Sequence, residues 1–123
     1  MACEHHFGII DKFDELKDYG ALEEEYPCII KKHNCISYDD DALTRWALDL
    51  TNTEMHWHRY GNYGKGLAWC GITLIPPYIL PEIIHWLALY IKKSLFCDAE
   101  ALKLLGLLKN AFKESKWVIH CGC

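Results

Sequence analysis

Residues 66–91 read GLAWCGITLIPPYILPEIIHWLALYI, and this stretch decides the fold. Leu67 to Ile75 is apolar at both alternating positions, which predicts a central strand covered on both faces. Gly71 within it predicts a bulge or a close backbone approach, and Cys70 reads as a small core hydrophobe. Pro76 and Pro77 cannot donate to a ladder, so the strand ends there. Pro81 suits the first turn of a helix, whose apolar face runs through Leu80, Ile83, Ile84, Leu87 and Ile91. Trp86 and Tyr90 widen that stripe. The helix is expected to be largely buried, with His85 a satisfied core histidine.

Toward the C-terminus, Asp98 is placed to cap a last helix with a core face of Ala101, Leu104, Leu105, Leu108 and Phe112. Trp117 to Cys121 then adds to the sheet as an antiparallel strand. Toward the N-terminus, Glu54 to Tyr60 alternates, with Met55 and Trp57 on one side and Glu54, His56, His58 and Tyr60 on the other. The glycine-rich run Gly61 to Gly66 suits a hairpin loop back to Leu67. Leu43, Trp46, Ala47 and Leu50 form one face of a helix that starts at the acidic run Asp39–Asp41. Phe7 to Ile10 reads as a first strand, Asp11 to Tyr26 as a helical turn plus loop, and Cys28 to Tyr38 as one or two short strands. The sum is a single α+β domain over 1–123, with a mainly antiparallel sheet of four to five strands and C-terminal helices packed on one face.

A chain of 123 residues can bury one real core, and 51% apolar with 24% charged residues is the balance of a globular protein rather than a disordered one. A net charge of −4 argues against general nucleic-acid binding. The charge is lopsided: residues 1–53 hold twelve acids against five bases, and residues 54–123 five against eight. An acidic half of this kind can meet a basic partner, although ordinary solvation explains it equally simply. No run of about 18 apolar residues predicts a membrane span, and the opening residues lack the pattern of a signal peptide. With seven cysteines and no such signal, reduced thiols in a cytoplasm are expected.

His56 and His58, two apart on a predicted strand, would emerge on one face about 7 Å apart, close enough to share a zinc ion. His120, on the same side of the last strand as Val118, is the candidate third ligand, with Glu54 a fourth. A polar sheet surface is the plainer account of the same pattern. Cys3, His5, His6, Cys121 and Cys123 cluster at the two ends of the chain without matching an established metal spacing. Asp39, Asp40 and Asp41 could bind a cation, but helix capping accounts for them. Tyr60, Tyr63 and Trp69 make an aromatic hairpin that could dock a protein partner. No catalytic signature is present, so a non-enzymatic protein-binding domain is expected. A small metal-binding protein or metal-dependent enzyme using His56, His58 and His120 is the alternative, and the apolar Ile79–Ile91 helix allows a homodimer.

In length, acidic first half and α+β order, and in the segments GLAWCGITLIPP (66–77) and WVIHCGC (117–123), the chain resembles small bacterial immunity proteins of toxin–immunity systems. The resemblance implies a cytoplasmic protein that binds and neutralises a toxin, with an acidic surface meeting a basic nuclease-type toxin domain. On that reading Glu23, Glu24, Glu25, Asp39, Asp40 and Asp41 are the natural contacts. No cofactor is implied.

Overall fold

Along Glu4–Ile10, His5 and Phe7 are buried on one face and Ile10 on the other while Glu4 stays in water, as in a strand with two covered faces. The computed structural model describes residues 3–20, 26–95 and 98–122. In order, the elements are β1 (Glu4–Ile10), α1 (Tyr26–Lys32), β2 (Ile36–Asp39), α2 (Asp40–Ala47), β3 (Glu54–Trp57), β4 (Tyr63–Lys65), β5 (Ile72–Ile75), α3 (Leu80–Lys93), α4 (Ala99–Lys113) and β6 (Trp117–Cys121). The strands form one antiparallel sheet of order β2-β1-β6-β5-β3-β4. The architecture is the expected α+β; the sheet has six strands among the described residues rather than four to five.

Register assigns the two faces. Phe7 opposes His120, which opposes Thr73, which opposes Trp57, so these four share one face with Val118 and Ile75. That face meets α2, α3 and α4 through Leu43, Trp46, Leu80, Ile83, Leu87, Leu104 and Leu108, all in one core with Phe7, Tyr38, Ile75 and Val118. The other face carries Ile10, Ile72, Leu74, Ile119 and Cys121, and is covered by Ile29 of α1 and by Tyr19 and Phe13 of the loop after β1. Each such side chain, moved fully out of water, contributes about 1.5–3 kcal/mol. Two covered faces make β5 and β6 the rigid centre from which the site is built.

Three helices begin as their sequence signals require. The Asp39 carboxylate accepts the Ala42 N–H of α2 (3.1 Å), the Asp98 carboxylate accepts the Ala101 N–H of α4 (3.1 Å), and Pro81 lies in the first turn of α3. Lys92 and Lys93 end α3, where positive charge suits the helix dipole. Details of their packing differ from expectation. In α3 only Leu80, Ile83 and Leu87 are buried, and His85 is exposed. In α4 Ala111 takes the core position and Phe112 is 48% exposed.

The strand bounds differ too. The expected strand Leu67–Ile75 shortens to Ile72–Ile75, because Gly71 N–H bonds Ala68 O (3.1 Å) in a turn that leaves Cys70 exposed. The expected strand Glu54–Tyr60 stops at Trp57: Arg59 N–H bonds Trp57 O (2.8 Å) across His58, whose φ of +68° is that of a tight three-residue turn. The supposed hairpin loop contains β4. Of the one or two strands expected over Cys28–Tyr38, one forms, β2, while Cys28–Lys32 belongs to α1; a seven-residue helix is too short to show its period.

Candidate functional site

His5 is the second residue of β1, His120 the fourth of β6 and Thr73 the second of β5; pairing of the three strands sets them in a row on the helix-covered face. Asp40 arrives as the first residue of α2, immediately after β2, and its backbone N–H bonds Cys3 O (3.0 Å). Trp69 reaches in from the turn before β5. The result is a continuous chain of polar contacts. Asp40 Oδ1 lies 2.7 Å from His5 Nε2 and accepts the Trp69 Nε1–H at 2.7 Å. His5 Nδ1 is 2.8 Å from His120 Nε2, and His120 Nδ1 is 3.3 Å from Thr73 Oγ1, which accepts the Ala68 N–H at 2.7 Å.

His5, Thr73 and His120 are all 0% exposed, while the Asp40 side chain is 28% exposed and gives the chain its one end toward water. The hydrogen bond from His5, with that from Trp69, holds the Asp40 carboxyl below the usual carboxylate range. Burial, with His5 and His6 nearby, pushes the His120 imidazole well below its ordinary value. With the Asp40 carboxylate an acceptor only, one arrangement of the protons satisfies each nitrogen in turn. The Thr73 hydroxyl donates to His120 Nδ1, His120 Nε2–H to His5 Nδ1, and His5 Nε2–H to Asp40. Every buried nitrogen in the row is then satisfied, which is the condition for placing such groups in a core. The rings are held from the side as well: His5 meets Trp69 edge-on at 4.6 Å between centroids, and Phe7 lies against His120 at 4.9 Å.

The outer end of this row has donor chemistry. Donor atoms of Cys3, His5 and Asp40 all lie within 4.8 Å of one another, the one group of three His, Cys, Asp or Glu side chains among the described residues close enough to share an ion. Cys3 is disulfide-bonded, so its sulfur becomes a ligand only on reduction; this corrects the expectation of reduced thiols throughout. Burial pushes the Cys35 thiol up to about 11 and that of Cys121 to about 12, whereas Cys28 and Cys70 are exposed thiols.

The expected trio His56, His58 and His120 is not brought together. His56 opposes Leu74, and Leu74 opposes Ile119, so His56 lies on the face opposite His120. Ligand bonds of about 2 Å cannot cross a sheet. The turn at His58 breaks the alternation that was to place it beside His56. Its Nδ1 is instead buried without a hydrogen-bond partner, its ring packed close to Gly71. A Cβ on Gly71 would stand 2.9 Å from the imidazole.

His56 belongs to an aromatic cluster. It stacks on Tyr60 (5.0 Å, 9°) and lies 4.7 Å from Tyr63 and 5.1 Å from Trp117; Trp117 stacks on Phe13 at 3.8 Å. Gly61 N–H donates to His56 Nδ1 at 2.9 Å, and burial lowers the imidazole pKa. Tyr60 and Tyr63 are the outward part of this cluster, 42% and 59% exposed, along the free edge of β4. The acidic candidates fare unevenly. Asp39 caps α2, Asp40 is engaged by His5 and Trp69, Asp41 is exposed, and Glu23, Glu24 and Glu25 lie outside the described residues.

His5 had a visible signal among the histidines and cysteines gathered at the chain ends, and His120 as the expected third ligand of His56 and His58; Thr73 had none. No helix among the described residues is long and apolar enough to cross a membrane. In comparisons with known proteins, no family model, curated protein or solved structure matches this chain.

Proposed function

We propose that the chain is a non-enzymatic protein-binding domain that presents Tyr60 and Tyr63 to its partner, in its most concrete form an immunity-type inhibitor of a basic toxin domain. The observation that supports this is the exposure of two tyrosines already held in place by His56 and, through it, by Trp117 and Phe13. Aromatic side chains dominate binding hot spots, and ring contacts made before association reduce the entropy lost on binding. The free edge of β4 adds backbone donors and acceptors beside the rings. The acidic balance of residues 1–53, with Asp41 exposed among them, favours a basic partner, and the resemblance to immunity proteins supplies its class.

The test is a titration with basic nuclease-type toxin domains. Tyr60→Ala with Tyr63→Ala should weaken binding at least thirtyfold, equivalent to about 2 kcal/mol for a hot spot. Charge reversal at Glu23, Glu24, Glu25 and Asp41 should slow association and flatten its salt dependence. Unchanged affinity in the double tyrosine variant would remove the proposed surface.

A further inference from the structure

We propose that Cys3, His5 and Asp40 form a zinc site that is closed while Cys3 is disulfide-bonded and becomes available on reduction, with His120 and Thr73 as its supporting shell. The inference is independent of partner binding; of the acidic contacts the resemblance implies, it uses Asp40 alone.

The donor set comes first. A thiolate, an imidazole nitrogen and a carboxylate oxygen are three ligands that zinc takes, leaving a fourth position for water. Zinc bonds of about 2.0–2.3 Å put tetrahedral ligands roughly 3.3–3.9 Å apart. Donors already within 4.8 Å of one another reach that spacing by side-chain rotation, the His5 Nε2 and Asp40 Oδ1 pair opening from 2.7 Å as the proton between them leaves. The Asp40 side chain, 28% exposed, provides the way in, and Trp69 holds its Oδ1 from the other side.

The second observation is the shell behind His5. A zinc-bound histidine needs its other ring N–H donated to a fixed acceptor. His5 Nδ1 already lies 2.8 Å from His120 Nε2, and His120 Nδ1 lies 3.3 Å from Thr73 Oγ1. When the metal takes the His5 Nε2 lone pair, the proton sits on Nδ1 and is donated to His120 Nε2. His120 then carries its proton on Nδ1 and donates to Thr73 Oγ1, whose second lone pair still accepts the Ala68 N–H. The His5 Nε2 proton leaves as the zinc binds, and the His120 Nε2 proton passes to His5 Nδ1. Solvent supplies the proton on His120 Nδ1 while the Thr73 O–H turns aside, so the row reverses its sense with every heavy atom in place.

Reduction is the gate. A trialkyl phosphine, with one water, converts the disulfide to two thiols and is itself oxidised to the phosphine oxide, the water supplying its oxygen and the two thiol protons. The Cys3 thiol then loses its proton to solvent as the metal binds.

The experiment uses untagged full-length protein, reduced by such a phosphine or left oxidised, titrated with zinc and with cobalt as a spectroscopic substitute. The expected result is one equivalent of metal in the reduced protein only, with a thiolate-to-cobalt charge-transfer band. The band should vanish in Cys3→Ser. Metal affinity should fall 10–100-fold in His120→Gln, which keeps the fold's polar row but not its geometry. Asp40→Asn, near in shape to the parent, should also weaken binding and guards against loss of folding in Cys3→Ser. Equal binding by oxidised protein, or a cobalt band that survives Cys3→Ser, would assign the metal to other thiols and overturn the site. Absence of stoichiometric metal from folded, reduced protein would overturn it as well.

Discussion

At the scale of single residues, the fold is decided by which side of the sheet a histidine faces. His56 and His120 lie on opposite faces, two strands apart, and their roles diverge accordingly. One steadies a ring of exposed tyrosines; the other is sealed in a core and bonded at both nitrogens. Thr73 supports the sealed one. Thr73→Val keeps the volume but leaves the Ala68 N–H and His120 Nδ1 without partners, and should cost about 1–3 kcal/mol in urea-monitored unfolding. A cost near zero would mean that the row is not bonded as described. Little of this was legible from the chain. The periodicity of residues 54–60 put His56 and His58 on one face, and a single residue with φ of +68° was enough to undo it. The link between Asp40 and His5 spans 35 positions, and no local pattern encodes it. As a cap-region acid Asp40 had an adequate local explanation, which hid its second role.

At the scale of elements, caps and prolines were legible because they act within a few residues. Asp39, Pro81 and Asp98 mark the starts of α2, α3 and α4. Asp98→Ala should therefore lower stability by about 0.5–2 kcal/mol, read as a shift in the unfolding midpoint, because Ala101 N–H loses its acceptor. Short elements were not legible. β4 is three residues, Tyr63–Lys65, inside a run that reads as turn because Gly61, Gly64 and Gly66 punctuate it. α1 is YPCIIKK, whose paired isoleucines suit a strand as well as a helix; covering the second sheet face with Ile29 is what makes it helical. Leu67 to Gly71 is apolar but folds as a turn, because Thr73 Oγ1 offers the Ala68 N–H an acceptor that a straight strand would not.

At the scale of the whole molecule, the histidines with displaced pKa values, His6, His33, His56 and His120, are all lowered chiefly by burial. The unfolded chain therefore binds protons more readily near pH 6.5 than the folded one does. Their contribution to stability is present above the unfolded value and is lost as pH falls below about 6.5 toward the folded values. Asp11 and Asp40, lowered by their hydrogen-bond partners, add a further loss at more acid pH, below the ordinary carboxylate value. Unfolding followed from pH 8 to 5 should show falling stability, with a shallower slope in His56→Phe. A flat profile would contradict the burial of these rings. The same long-range pairing that buries the histidines leaves β4 at one end of the strand order and gathers aromatic rings beside it. Hydrogen exchange of the chain alone and bound to a partner, on the proposed reading a toxin domain, tests that arrangement most directly. The account predicts new protection centred on Tyr60 to Lys65, at the free edge of β4. Unchanged exchange there, with protection confined to the α2–α3 surface around Trp86 and Tyr90, would contradict it.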